Sequence, residues 1–423
     1  MTPSTVRGPI ARGTIRTTFV LGLYLLVQAG TLLLVARMLG PHQFGAFAGV
    51  ASLAVLLGTV STFGTHIVLL GEVAKDPSRR DQVLAYSIPT ILLFGGFLLA
   101  IYLSVCLLVL RVGVPWMVLL AIGTTEIWLQ ALFRLAVSEH QGLGRIARSQ
   151  LLKTLPMLLR LAAAAGVFLT GPANPLVAYG YAYPAASLLA LILAVRTFPS
   201  MWPAPSRWRL PGTCELRSNA GYAAMSITAS GPGELDKTVA AKLLPLAGAG
   251  LYAVGTRIIA ATMLPISAMT ESALPRLFRE SHEQFERTYR LLLWIFGAAL
   301  AYSLAVAIAL WLAAPVFEWI FGAKYHGLDH AIRWLCLALP GMALRMPVGN
   351  VLMALGRPWI RVGFEIAGVL VLVIASIPLT AGLGVTGMSL ALACSEWSMT
   401  AFGFAMIWTN WHNTKRNRGR VPQ

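Results

Sequence analysis

Ala36-Arg37-Met38-Leu39-Gly40, followed by Phe44-Gly45-Ala46-Phe47-Ala48, closes one long apolar run and opens the next. The same order returns 205 residues later as Ala241-Lys242-Leu243-Leu244-Pro245, followed by Ala249-Gly250-Leu251-Tyr252-Ala253. Each copy has an alanine, a base and two apolar residues, then small residues around an aromatic or aliphatic side chain. A second echo, Gly142-Leu143-Gly144-Arg145 against Ala354-Leu355-Gly356-Arg357, is offset by 212 residues. Two echoes at nearly one spacing mark a chain made of two similar halves.

Around these junctions the apolar runs fall at about 15–36, 44–70, 83–109, 114–137, 149–170 and 175–195, then 218–241, 249–275, 290–321, 331–354, 360–381 and 384–411. Runs of about 20 residues match a hydrocarbon core of about 30 Å. In lipid each segment must satisfy its own backbone hydrogen bonds, so the runs read as helices. The expected fold is an all-α polytopic membrane protein of about twelve transmembrane helices in two six-helix lobes. The expected divisions are an N-terminal lobe 1–197, a cytoplasmic linker 198–217, a C-terminal lobe 218–411 and a basic tail 412–423. Parallel repeats of this kind form the central cavity of many secondary transporters.

The charges set the topology. Of 423 residues, 57% are hydrophobic and 12% charged, and the mean hydropathy is +0.71. A soluble domain carries about twice that charged fraction. The net charge of +17 resides in the gaps between runs, not on one soluble face, so it points to no nucleic-acid partner. One alternate set of gaps holds 24 Lys and Arg residues and the other holds 5: Arg37, Arg111, Lys242, Lys324 and Arg333. The positive-inside rule places the rich set, with both termini, in the cytoplasm. The basic N-terminus and the long run to Leu39 read as a retained first span. The outer gaps Gly171–Asn174 and Ala381–Gly384 carry no charge.

Chemistry-bearing motifs are few. No phosphate-cradling loop or nucleophile elbow is present, so neither an ATPase nor a hydrolase is indicated. The cysteines Cys106, Cys214, Cys336 and Cys394 lie far apart, and His42, His66, His326 and His330 lack metal spacing, so no metal, disulfide or cofactor is expected. Trp116, Trp128, Trp294, Trp311, Trp319 and Trp408 read as an interfacial aromatic belt.

The stretch Ala36 to Gly45 (Ala36-Arg37-Met38-Leu39-Gly40-Pro41-His42-Gln43-Phe44-Gly45) resembles the helix 1–2 junction of bacterial polysaccharide flippases. These export lipid-linked O-antigen or exopolysaccharide units within the multidrug/oligosaccharidyl-lipid/polysaccharide exporter superfamily. Leu235-Asp236-Lys237, Ala241-Lys242-Leu243-Leu244 and Gly250-Leu251-Tyr252-Ala253 resemble that family's helix 7–8 junction, and the turns at Gly142 and Ala354 fit it too. The resemblance implies a non-enzymatic transporter of the inner membrane, opening alternately to each side. Its cargo would be a polyprenyl-diphosphate oligosaccharide moved to the outer leaflet. It also implies membrane lipids, a polysaccharide polymerase and assembly proteins as partners. Related lipid II flippases usually have fourteen spans, whereas this chain stops at twelve.

Outward movement of an anionic headgroup is downhill by about 2.3 kcal/mol per charge per 100 mV, so the protein mainly needs a cationic path. Arginine suits phosphate because its planar fork binds two oxygens at once. Four bases lie at membrane depth: Arg160, Lys237, Arg257 and Arg345. Arg257 is the leading candidate for a phosphate contact, with Arg160 and Arg345 behind it. Arg37 and Lys242 would flank the outer mouth, and Arg12 and Arg16 would either collect headgroups at the inner mouth or simply anchor the topology. The acids Glu126, Glu234, Asp236, Glu365 and Glu396 also lie at depth. Each either neutralises a base or binds a coupling proton or sodium ion. Candidate pairs are Glu126 with Arg160, and Asp236 with Lys237 or Arg257. Gly231-Pro232-Gly233 should break span seven just before Glu234, or merely kink it.

Two rival readings remain. One is a cation-coupled multidrug exporter of the same superfamily, which the acids favour and the polysaccharide-type junctions disfavour. The other is a membrane polysaccharide polymerase or ligase, which the short outer loops disfavour.

Overall fold

A computed structural model describes residues 9–198, 202–270, 285–354 and 358–418, and within these no strand occurs. The first compact unit, 1–227, contains α1 (Pro9–Ser61), α2 (Thr65–Lys75), α3 (Arg80–Ser104), α4 (Trp116–Thr124), α5 (Gln130–Gly142), α6 (Ile146–Thr170) and α7 (Pro175–Arg196). α8 (Thr213–Leu243) passes from the first unit into the second, 228–423. The second unit continues with α9 (Leu246–Thr262), α10 (Phe285–Phe321), α11 (Leu328–Leu335), α12 (Leu339–Ala354) and α13 (Pro358–Arg418).

Nine helices among the described residues are long and apolar enough to cross a membrane. Two are of double length, Gly22–Ser61 with 40 residues and Trp359–Thr409 with 51. At 1.5 Å per residue each exceeds a bilayer core about twofold, so each is two spans joined by a sharp turn. The turns fall at Gly40 (φ 69°, ψ 168°) and Gly384 (φ 56°, ψ −128°). Those backbone angles are open to glycine and strained for any residue with a Cβ. Pro41 then opens the second span, since proline's fixed φ suits a first helical position. At the repeat-equivalent junction Pro245 stands just ahead of α9. Wherever it is described, each of the twelve expected apolar runs falls mainly on helix, with non-helical residues at 62–64, 114–115 and 263.

Two local expectations need correction. α8 is continuous through Gly231-Pro232-Gly233, because proline in a membrane helix is tolerated where neighbours take up the freed carbonyl. The break lies in span two instead, between α1 and α2, where Phe63 (φ 46°) and Gly64 (φ 76°) both turn left-handed. Close packing holds it there: a Cβ on Gly64 would lie 2.6 Å from the carbonyl of Asn219 in α8. The second correction concerns Trp128, which packs against Gly95 of α3, whereas Trp116, Trp294, Trp311, Trp319 and Trp408 are exposed.

In the first unit α2 lies along α5, and α6 lies along α1 and α7. Leu69, Val73, Leu84, Ile91 and Leu135 form one core, and Phe133, Leu152, Leu191 and Phe198 another. The segment before α8 is folded onto these cores. Trp202 and Trp208 pack against them, the Trp202 indole donates to Glu139 at 3.2 Å, and the Arg209 amide donates to the Ala85 carbonyl at 3.0 Å. Glu139 also holds Arg80. In the second unit α12 packs along α13, and α10 along α11 and α12.

Candidate functional site

Each unit carries its own cluster of charges at membrane depth. In the first, a π-helical turn, Thr125–Leu129, separates α4 from α5 and carries Glu126. Gly58 permits this, because a Cβ there would collide with the Glu126 carbonyl. Arg160 of α6 reaches Glu126 at 2.8 Å and donates to the Ser187 hydroxyl of α7 at 3.0 and 3.1 Å. Tyr183 donates to the same Glu126 oxygen at 2.5 Å, and its ring lies 4.0 Å beneath the Arg160 guanidinium. Arg160 is therefore fully engaged by a carboxylate, a hydroxyl and an aromatic face. Tyr179, Tyr183 and Phe47 complete the aromatic wall with edge-to-face contacts at 5.6–5.9 Å.

In the second unit, Arg345 of α12 meets Glu396 of α13 at 2.7 Å and lies 4.0 Å from Glu365. Arg361, one turn before Glu365, pairs with it at 3.0 Å. Glycines make the approach close: Gly341 lies against Glu396, and Gly349 lies under the Arg361 guanidinium. Nearby, Asp236 of α8 accepts from the Tyr252 hydroxyl of α9 at 3.0 Å and from the Lys237 amide at 2.7 Å. The Lys237 ammonium lies 3.4 Å from Asp236 and 3.5 Å from Glu234, and donates to the Gly233 carbonyl.

The structure thus brings Glu126 to Arg160, Glu396 to Arg345, and both Glu234 and Asp236 to Lys237. Arg257 of α9 differs. It forms no ion pair among the described residues, and its buried Nε has no hydrogen-bond partner among them. Arg37 and Lys242 are exposed near the ends of their helical runs. Arg12 and Arg16 lie in α1, but their side chains are outside the described residues. So is the turn at Leu355–Arg357 that supplied one of the echoes.

Two bases, Arg361 and Arg134, stand elsewhere than the charge pattern suggests. Glu365 and Arg361 join the Arg345 cluster, and their spacing of four along a helix was the available signal. Arg134, one of the 24 bases counted to the cytoplasmic gaps although the run 114–137 contains it, lies within the apolar span Trp116–Gly142. It is eight residues from the end of that span, about 12 Å at helical rise.

Residues 10–281 match the family described as "Polysaccharide biosynthesis protein". This chain belongs to that family. Among curated proteins none matches it. Its fold is that of the multidrug/oligosaccharidyl-lipid/polysaccharide exporter, or MOP, superfamily. An inward-facing multidrug resistance MATE family transporter of the MOP superfamily is similar with a TM-score of 0.76 and 16% identity over 94% of this chain and 96% of that one. The lipid II flippase MurJ, in an inward closed conformation, gives 0.71 and 12% over 93% and 87%. A MOP superfamily transporter from Pyrococcus furiosus, with a binding pocket of reverse polarity, gives 0.64 and 16% over 96% of each chain.

Proposed function

We propose that the chain is a flippase for a polyprenyl-diphosphate-linked oligosaccharide in cell-surface polysaccharide synthesis, of the O-antigen or exopolysaccharide type. It would sit in the inner membrane with both termini in the cytoplasm, and two six-helix lobes (1–197 and 218–411) would open alternately around the cargo. A polysaccharide polymerase and assembly proteins would take the unit onward. Membership of a polysaccharide biosynthesis family supports this reading, and Arg257 carries it. A guanidinium kept at membrane depth that meets no acid among the described residues suits an anion that arrives, and a diphosphate presents the oxygens its planar fork binds best.

The test is mass spectrometry of polyprenyl-linked lipids after deletion of the gene. A complete oligosaccharide diphosphate lipid should accumulate as surface glycan is lost, and Arg257→Ala should fail to restore export while inserting normally. Unchanged lipids would remove the reading. Incomplete glycans, or finished units already outside, would point to an enzyme.

A cation-coupled multidrug exporter is the second reading. The half-buried Glu234 beside Lys237 favours it, since an acid kept at membrane depth is suited to bind a coupling proton or sodium ion. Deletion would then leave the lipids unchanged and sensitise cells to cationic drugs.

A further inference from the structure

Spans two and four run side by side in the first unit and touch closely at two points. Gly58 meets the Glu126 carbonyl at one. At the other, a Cβ on Gly142 would lie 2.9 Å from Val73 and 3.0 Å from the Leu70 carbonyl. Residue numbers rise together between the two contacts, so the spans are parallel there. Arg134 lies midway, eight residues from Glu126 and eight from Gly142. The matching stretch of span two, between Gly58 and Leu70, contains the break at Phe63–Gly64 and, just after it, His66. His66 Nδ1 is 2.8 Å from the Thr62 hydroxyl across that break, at the height on span two that matches Arg134 on span four.

Arg134 makes no ion pair or hydrogen bond among the described residues. Glu126, eight residues before it on span four, already receives Arg160 and Tyr183 on its Oε1. A charge at this depth persists where it has a partner or lines a polar space, and broken spans at mid-depth line such spaces. The charge pattern counts this residue toward topology, yet it stands beside an irregular backbone and, among the described residues, has no ion-pair partner.

We infer that Arg134, opposite the break in span two, is a diphosphate-binding residue of the first unit, with His66 as a neighbouring donor. The inference rests on the flippase reading and adds to it a specific anion subsite on spans two and four. It also assigns roles by compensation: Arg160 holds helices together, whereas Arg134 holds cargo.

The full-length protein in lipid nanodiscs is titrated with farnesyl diphosphate, a short polyprenyl diphosphate, with inorganic pyrophosphate as competitor. Wild type should bind, and pyrophosphate should displace the probe. Arg134→Gln should weaken binding by about tenfold to a hundredfold, the worth of charge-assisted hydrogen bonds to an oxyanion, and Arg134→Lys should fall between. Without ligand, Arg134→Gln should melt no lower than wild type, because it removes an unpaired charge. Wild-type-like binding by Arg134→Gln would overturn the assignment and leave the flippase reading standing. A lower melting temperature in Arg134→Gln that Arg134→Lys restores would make the residue structural, and failure of pyrophosphate to compete would exclude diphosphate recognition. Absence of any farnesyl diphosphate binding by wild type would bring down the flippase reading and this inference together.

Discussion

The Arg345 guanidinium donates through Nε to the Glu396 carboxylate across 2.7 Å, tying α12 to the last span of α13. Glu396 is 1% exposed, so its charge survives because arginine compensates it. Removing one partner of such a pair strands the other, at a cost of about 3–5 kcal/mol, whereas replacing both with apolar residues is often neutral. Arg345→Ala should therefore melt well below wild type in detergent, and the double variant Arg345→Met, Glu396→Met should recover most of the loss. A double variant no better than the single one would show that Glu365 or Arg361 depends on the pair as well.

The same rule separates two arginines that look alike in sequence. Arg160 has Glu126, Ser187 and the Tyr183 ring, so Arg160→Ala should lower stability by about 3–5 kcal/mol. Arg257 has no ion-pair partner among the described residues, so Arg257→Ala should keep the wild-type melting temperature and lose export. Melting curves beside an export assay decide it, and matching losses of stability in the two variants would refute the distinction.

Gly40 and Gly22 both lie in α1, yet substitution should act oppositely. Gly40 has φ 69° and ψ 168°, a conformation that strains any other residue by about 1–3 kcal/mol. Gly22 is helical and a Cβ there meets nothing within 4 Å, so alanine should be neutral or stabilising by about 0.5–1 kcal/mol. Thermal melts of Gly40→Ala and Gly22→Ala should move in opposite directions.

The segment before α8 should loosen in acid. Glu215 accepts two hydrogen bonds from Arg209, at 2.6 and 2.9 Å, and one from the Gly212 amide at 2.8 Å. Arg209 first, and then the Gly212 amide, holds the Glu215 carboxyl below its ordinary value. A depressed carboxylate stabilises the fold above its unfolded pKa of about 4.3, and the contribution is lost as pH falls through the lower folded value. Both side chains are partly exposed, so the effect is local and screened by salt. Proteolysis of the 202–212 segment should accelerate below about pH 4. Glu215→Gln should already show the faster rate at neutral pH and little further change in acid.

Some of this was legible residue by residue. Apolar runs and alternating basic gaps can be read locally, because bilayer thickness and insertion act on each segment as it stands. The junctions at Gly40 and Pro245 were legible for the same reason. Glycine and proline constrain the backbone wherever they occur.

Partner choice among the buried charges was not. Glu126 and Arg160 are 34 residues apart, and Arg345 and Glu396 are 51 apart, so helix packing alone decides which acid meets which base. The break in span two carries no proline, and helix contacts place it: Gly64 fits closely against Asn219 and Tyr222. Arg134 counts with the cytoplasmic bases although the run 114–137 contains it, because charge was the only sign of where its span ends, and the structure shows the helix running on past it. The sequence by itself determined an all-helical, two-fold repeated membrane chain, since hydrophobic length and charge placement are local properties. The tertiary structure alone decided which buried cations meet an acid and which, among the described residues, do not, because compensation depends on distance across helices.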